Sequence, residues 1–410
     1  MKTALFALTL AVIPGTRVAA AEKSPAKRRT LRVAAVVTVY RRNAHADVIV
    51  GRLLQGYNLN DKAPRPSIRL ASLYVDQVGK NDLSRPLAAK HKFRLSTTVE
   101  DALTLGTGKL AVDGVLLVAE HGNYEHSKTG QRLYPKRRLF SQIVKVFETS
   151  KRVVPVFSDK HLSDNWKDAA WIYNTARRLK IPMMAGSSVP TFRRRPAIDV
   201  DRKRKLQEIV AVGYGGVESY GFHALEMMQS LAERRRGDET GVVSVRCLTG
   251  DDVWKAKGRL YNSKLLSAAL SASKLRRGAD RPLREIVKRP VLFSIRYADG
   301  LKASMFMLDG AAREFSAAWR YRSNGERFAT LFQLQDERPY SHFSTLLKGI
   351  ERMMHTGRPT WPIERTLLTT GILHEAMLSK STGGKRRDTP HLKIRYKSAW
   401  NWTQPKKPGF

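Results

Sequence analysis

The chain has 410 residues, 42% of them apolar, with a single cysteine and with 74 lysines and arginines against 36 acids, a formal net charge of +38. Ordinary apolar content excludes a disordered or fibrous chain, the lone Cys247 excludes an internal disulfide, and the length suits two domains better than one core. The positive excess attracts polyanions, but clusters such as Lys136-Arg137-Arg138, Arg193-Arg194-Arg195 and Arg234-Arg235-Arg236 are spread along the chain. A generally basic surface is therefore expected, open to an anionic polysaccharide or a nucleic acid, rather than one dedicated basic helix.

In chain order, Met1-Lys2-Thr3, the apolar run from Ala4 to Pro14 and Val18-Ala19-Ala20-Ala21 have the charged, apolar and small-residue parts of a secretory signal peptide. The run is about half of the ~20 residues that span a bilayer, so cleavage after Ala21 and a periplasmic or extracellular mature chain are expected, with no membrane span. Residues 22–30 read as a basic arm. Leu31 to Val37 is a short apolar, β-branched run, as in a strand buried on both faces of a parallel sheet. A helix from Ala46 to Tyr57 follows, then strands or helices alternate: strand Ile68 to Val75, helix Val99 to Leu105, strand Val112 to Val118, helix Leu139 to Thr149. Strand Val153 to Phe157, helix Asn165 to Leu179 and a strand opening at Pro182 complete the series. Such alternation implies a doubly wound parallel sheet of the Rossmann type over residues 31–190.

From about Glu208 the pattern changes to a helix over Glu226 to Arg235 and strands at Gly241 to Leu248, Pro290 to Tyr297, Leu301 to Leu308 and Phe328 to Gln335. Asp299-Gly300 between two of these runs is a hairpin signal, because such a pair tolerates the positive φ of a tight turn. Helices over His342 to His355 and Ile363 to Lys380 close the chain, the last one a candidate to pack back on the first domain. An α+β domain with a mostly antiparallel sheet is expected over 191–396, with a tail at 397–410.

The order of these pieces and several local words resemble the glucose-fructose oxidoreductase and inositol dehydrogenase family (Gfo/Idh/MocA). The words are Val112-Asp113-Gly114-Val115 leading to His121-Gly122-Asn123-Tyr124-Glu125-His126, then Val156-Phe157-Ser158-Asp159-Lys160-His161, which is similar to the family's Glu-Lys-Pro loop, and Gly215-Gly216-Val217-Glu218-Ser219-Tyr220-Gly221-Phe222-His223 at the start of a helix. Thr356-Gly357-Arg358-Pro359 and Pro362-Ile363-Glu364-Arg365 resemble its closing segments. The resemblance implies hydride transfer between NAD or NADP and a sugar or polyol, with Lys160 and His223 as the catalytic pair that exchanges a proton with the substrate hydroxyl. It further implies Thr38, Tyr40, Arg41, Asp76, Glu120, His126 and Asp159 as cofactor contacts, and a homo-oligomer associating through an open face of the second sheet.

Three features depart from that pattern. Thr38-Val39-Tyr40-Arg41-Arg42-Asn43, where G-x-G-x-x-G would cradle a pyrophosphate, contains no glycine. Ser219 stands where an acid would precede His223 by four residues, and the adjacent Glu218 is expected to point elsewhere. Export as an unfolded chain leads to a compartment poor in free nicotinamide cofactor. A non-catalytic carbohydrate-binding protein on the same fold is the alternative reading. No closed zinc spacing of Cys and His and no G-x-S-x-G elbow is present, so neither a structural metal site nor a serine hydrolase is expected.

Overall fold

The computed structural model describes residues 29–273, 278 and 280–406. The expected signal peptide and residues 22–28 of the expected basic arm lie outside the described residues. The first sheet is built from β1 (Leu31–Val37), followed by α1 (His45–Ile49) and α2 (Gly51–Gln55), then β2 (Ile68–Val75), α3 (Ser84–His91), β3 (Arg94–Ser96), α4 (Val99–Thr104) and β4 (Gly114–Val118). Next come α5 (Lys136–Thr149), β5 (Val156–Asp159), α6 (Trp166–Arg178) and β6 (Met183–Gly186). All six strands are parallel, in the order β3-β2-β1-β4-β5-β6. β4 and β5 are buried along their whole length, as strands covered by helices on both faces must be. Helix starts are fixed locally: Thr98 accepts from Asp101 N–H at 3.0 Å and Asn165 from Asp168 N–H at 2.9 Å, each satisfying a free donor of a first turn.

The second sheet follows: β7 (Arg194–Arg195), β8 (Leu206–Gly213), α7 (Ser219–Ala232), β9 (Val242–Thr249), α8 (Asp251–Lys255), α9 (Ser263–Ser271) and α10 (Leu283–Ile286). The chain continues through β10 (Val291–Tyr297), β11 (Lys302–Met307), β12 (Phe315–Tyr321), β13 (Arg327–Phe332), α11 (Ser341–Thr356), α12 (Ile363–Ser381) and β14 (Arg387–Asp388). The order is β14-β9-β10-β11-β8-β12-β13-β7, antiparallel except for the β8–β11 pair. The Asp299-Gly300 turn joins β10 to β11 as expected, with Gly300 at φ 86°.

Several expectations are corrected. The single helix over Ala46 to Tyr57 is two short ones interrupted at Val50. The helix expected from Glu226 begins at Ser219, which places His223 in its second turn. β8 and β12 were not anticipated: the charged Glu208 interrupts one run and the alanines of the other carry no β signal. α11 lies beyond residue 190 but packs its Phe343, Leu346, Leu347 and Ile350 into the core of the first sheet. α12 serves both cores, with Ile363 and Leu367 against the first and Leu368, Ile372 and Leu373 against the second. The face of the second sheet away from α7, expected to be open, is covered over part of its area by α8, α9 and α10. The basic clusters are also not all surface charge. Lys136, Arg194 and Arg235 are fully buried and paired with Glu120, Asp199 and Glu239. Burial pushes the Cys247 thiol up to about 12, which keeps it inert. No helix among the described residues is long and apolar enough to cross a membrane.

Candidate functional site

In an open parallel sheet the ends of strands on either side of the order reversal, here β1 and β4, face an uncovered crevice. The second sheet closes one side of it, leaving a cavity of about 750 Å³ bordered by Glu120, Lys160, His223, Tyr220, His121 and Phe315 among others. The strands β4, β5 and β6 each turn sharply where they meet this cavity. His121 has φ 68°, Lys160 φ 58° and Gly186 φ 119°. For the two residues with side chains this backbone costs roughly 1–2 kcal/mol each, and such strain persists only where the surroundings enforce it. Lys160 is locked by its N–H donating to Gly186 O at 3.1 Å. Gly186 has no substitute, because a Cβ there would collide with the Glu226 carboxylate and would stand 2.8 Å from Thr366 Oγ1.

The strained turn at Lys160 brings its ammonium 3.4 Å from Glu120 Oε2, deep in the cleft and only 7% exposed rather than solvated. The other oxygen of Glu120 meets Lys136 Nζ at 2.8 Å, and Lys136 also donates to the carbonyls of Asp159 and His161 at 2.7 Å each. Burial works to raise the Glu120 pKa, but Lys136 and Lys160, with His161 and His45, outweigh it and hold the carboxyl well below its usual range. For Lys160, burial works downward and is overcome by Glu120, Asp159 and Glu218, so the ammonium is stabilised as a cation.

His223, on α7, has the opposite fate. Burial and the nearby charge of Lys160 and His45 push its pKa well below the ordinary value, so the ring is neutral. Its Nδ1 is 2.6 Å from Ser187 Oγ, which also accepts from Val189 N–H at 3.1 Å. Nε2 is thus the ring nitrogen not engaged by Ser187. The same push holds His121 at about 4, chiefly by burial and then by His45.

The remaining expected residues divide. Asp159 is buried and bonds His45 Nδ1 at 2.6 Å, which sets His45 between it and His223. His126 borders the cavity from an exposed bridge to Arg132. Glu218 does not point elsewhere: as the helical residue just before α7 it turns into the cleft and meets His161 Nε2 at 3.1 Å. Thr38 is buried and donates to the Glu120 carbonyl at 2.7 Å, holding the strand ends together instead of facing a ligand. The Tyr40 ring lies in the first core, fully buried. His45, His161, Ser187, Tyr220 and Phe315 were not singled out for the site, since each arrives from a different element. His121 and Lys160, by contrast, lie in the words that carry the resemblance.

The usual contacts of a nicotinamide dinucleotide do not fit these residues. Where α1 begins, the donor that would meet a pyrophosphate is taken internally: Asn43 N–H bonds Asp47 at 2.9 Å, and Arg338 neutralises the same carboxylate at 2.7 Å. Asp76, expected to hold a ribose hydroxyl, accepts from Arg138 at 2.7 and 2.8 Å, from Tyr124 at 2.8 Å and from Tyr74 at 3.0 Å, which fills both oxygens. Gln77 straps across the crevice to the backbone of Asn123, at 2.8 and 3.0 Å. A groove of about 490 Å³ that includes Arg41 and Arg132 remains beside this strap. Among the described residues, no group of three or more His, Cys, Asp or Glu is arranged to hold a metal ion.

No protein-family model matches the sequence, and no curated protein matches it. Solved structures do. GenD2 from gentamicin A biosynthesis, determined in complex with NAD, is 12% identical with a TM-score of 0.57, over 88% of this chain and 97% of that one. The scyllo-inositol dehydrogenase of Lactobacillus casei is 9% identical with a TM-score of 0.54, over 88% and 98%. The myo-inositol dehydrogenase of Corynebacterium glutamicum is 10% identical with a TM-score of 0.51, over 88% and 98%. At such identities the likeness is one of fold, and a six-stranded parallel sheet joined to a mostly antiparallel one gives this chain the fold of the Gfo/Idh/MocA-type dehydrogenases.

Proposed function

We propose that the chain takes a carbonyl-bearing sugar, or a polyol already oxidised to a ketone, into the cleft between its sheets and moves a proton at the hydroxyl-bearing carbon beside the carbonyl, with His223 as base and Lys160 as the cation that meets the developing oxyanion. One observation carries this reading: a single cavity holds a lysine stabilised in its charged form beside a histidine stabilised in its neutral form. A cation fixed beside a neutral imidazole can hold developing negative charge while the imidazole takes up a proton. On a carbon next to a carbonyl, the C–H proton passes to His223, the electron pair moves to the carbonyl oxygen facing Lys160, and the proton returns. No oxidant is consumed. The dehydrogenase neighbours support the sugar or polyol class.

Hydride transfer with NAD or NADP is the second reading, favoured by the groove that Arg41 and Arg132 border beside the cavity. Both readings are tested by following a panel of hexoses and cyclic polyols by NMR in deuterated water, with and without NAD. Uptake of deuterium at the carbon beside the carbonyl of a hexose, without cofactor, is the expected outcome, with turnover falling roughly 100-fold or more in Lys160→Ala and in His223→Ala. Affinity should change much less, because the lost interactions form mainly in the transition state. Reduction of NAD by the wild type would replace the first reading with the second. Affinity without any turnover would identify a carbohydrate-binding protein instead.

A further inference from the structure

The outer face of the second sheet carries charge that the cleft does not use. Arg296 on β10 lies opposite Lys302 on β11, Lys302 opposite Glu208 on β8, Glu208 opposite Arg320 on β12, and Arg320 opposite Arg327 on β13. Directly opposite residues share a face, so the row runs across five adjacent strands, a span of roughly 19 Å at ~4.8 Å per strand.

Like charges placed opposite one another destabilise a sheet, and this row is poorly compensated from within. Glu208, buried, pairs with Arg320 at 3.2 Å. Among the described residues, Arg296, Lys302 and Arg327 form no ion pair, and Arg296 Nη1 and Arg320 Nε are buried without a hydrogen-bond partner. Arg259, in the loop before α9, and Lys264, in the first turn of α9, enclose with Lys302, Arg320 and Arg327 a cavity of about 520 Å³ whose one carboxylate among the described residues is Glu208.

We propose that this row binds an acidic polysaccharide, whose sulfate or carboxylate groups lie along it. A single small anion would engage only a part of a row this long. A nucleic acid would want aromatic faces on which to stack bases. The one aromatic residue at the cavity among the described residues, Tyr261, is buried with its ring edge-on to Phe306 at 4.9 Å, and it offers no such face.

The test is titration calorimetry with dextran sulfate, unsulfated dextran of equal length and a single-stranded oligonucleotide of matched charge. Lys302 and Arg327 are exposed, so Lys302→Ser with Arg327→Ser leaves the core intact. This double variant should bind dextran sulfate at least about tenfold more weakly, with a log-affinity against log-salt slope shallower by about two. Arg259→Ser with Lys264→Ser, at the start of α9, should show the same direction of loss. Lys109→Ser with Lys145→Ser, exposed cations of the first domain, should change affinity less than about twofold. Equal loss in the first-domain variant would reduce the effect to diffuse charge and overturn the site. The absence of dextran sulfate binding would also overturn it, as would tighter binding of the oligonucleotide lost in the same variants.

Discussion

At Lys160, His121 and His342 the local environment decides charge, and this has a consequence for stability that can be read without a ligand. His121 is held at about 4 and His342 at about 3, mainly by burial. In the unfolded chain both take up a proton near pH 6.5. Between pH 6.5 and about 4 the unfolded state therefore binds more protons, and stability falls as pH falls, by up to about 1.4 kcal/mol per pH unit for each group. Glu120 acts elsewhere: its depressed pKa contributes stability that is fully present above the ordinary carboxyl range and is lost as pH falls from that range to the folded value. Denaturant unfolding at pH 7, 6 and 5 should show the slope of His342→Gln reduced by about one proton. An unchanged slope would mean that His342 is not held neutral. That Lys160 and His223 stand at the cleft was legible in the sequence because recognisable words surround them in a fixed order, whereas Glu120 and Asp159, expected as cofactor contacts, are taken up by Lys136 and Lys160 and by His45. His45 and Ser187 were not, because the contacts that matter, to Asp159 and to His223, join residues far apart in the chain.

Among the elements, the buried strands of the first sheet declared themselves as short β-branched runs, whereas α5 hid its role. Its Lys136-Arg137-Arg138 start reads as surface charge, yet Lys136 is a buried tie between Glu120 and the loop after β5, and Arg138 holds Asp76. Charge in sequence does not reveal the direction in which a side chain leaves its helix. The contact between α12 and α7 has the same character: Arg365 bonds Glu233 at 2.5 and 2.9 Å with both side chains buried, and Tyr396 adds a bond at 2.9 Å. Arg365→Met keeps most of the volume and strands the Glu233 carboxylate in a dry site, which should cost about 3–5 kcal/mol. Equilibrium unfolding checks this. Loss of less than about 1 kcal/mol would show that water reaches Glu233.

For the whole molecule, the two-sheet plan was legible in the change of pattern from about Glu208, but the return of α11 to the first core was not, since an amphipathic helix does not say which sheet it covers. That return and the double role of α12 tie the two bodies together around the cleft. The consequence is a site assembled from both sides, with Lys160 and Glu120 from the ends of the first sheet's strands, Phe315 from the second sheet, and His223 and Tyr220 from α7, which packs on that second sheet. A ligand held there must raise the stability of the folded protein by mass action. Thermal unfolding over a panel of hexoses and cyclic polyols measures this most directly, with Ser219→Trp, at the rim of the same cavity, as the variant in which a ring takes the ligand's space. The expected result is a rise of at least ~2 °C with one member of the panel, absent in Ser219→Trp. No rise with any member, or an equal rise in the blocked variant, would contradict a sugar or polyol site in the cleft.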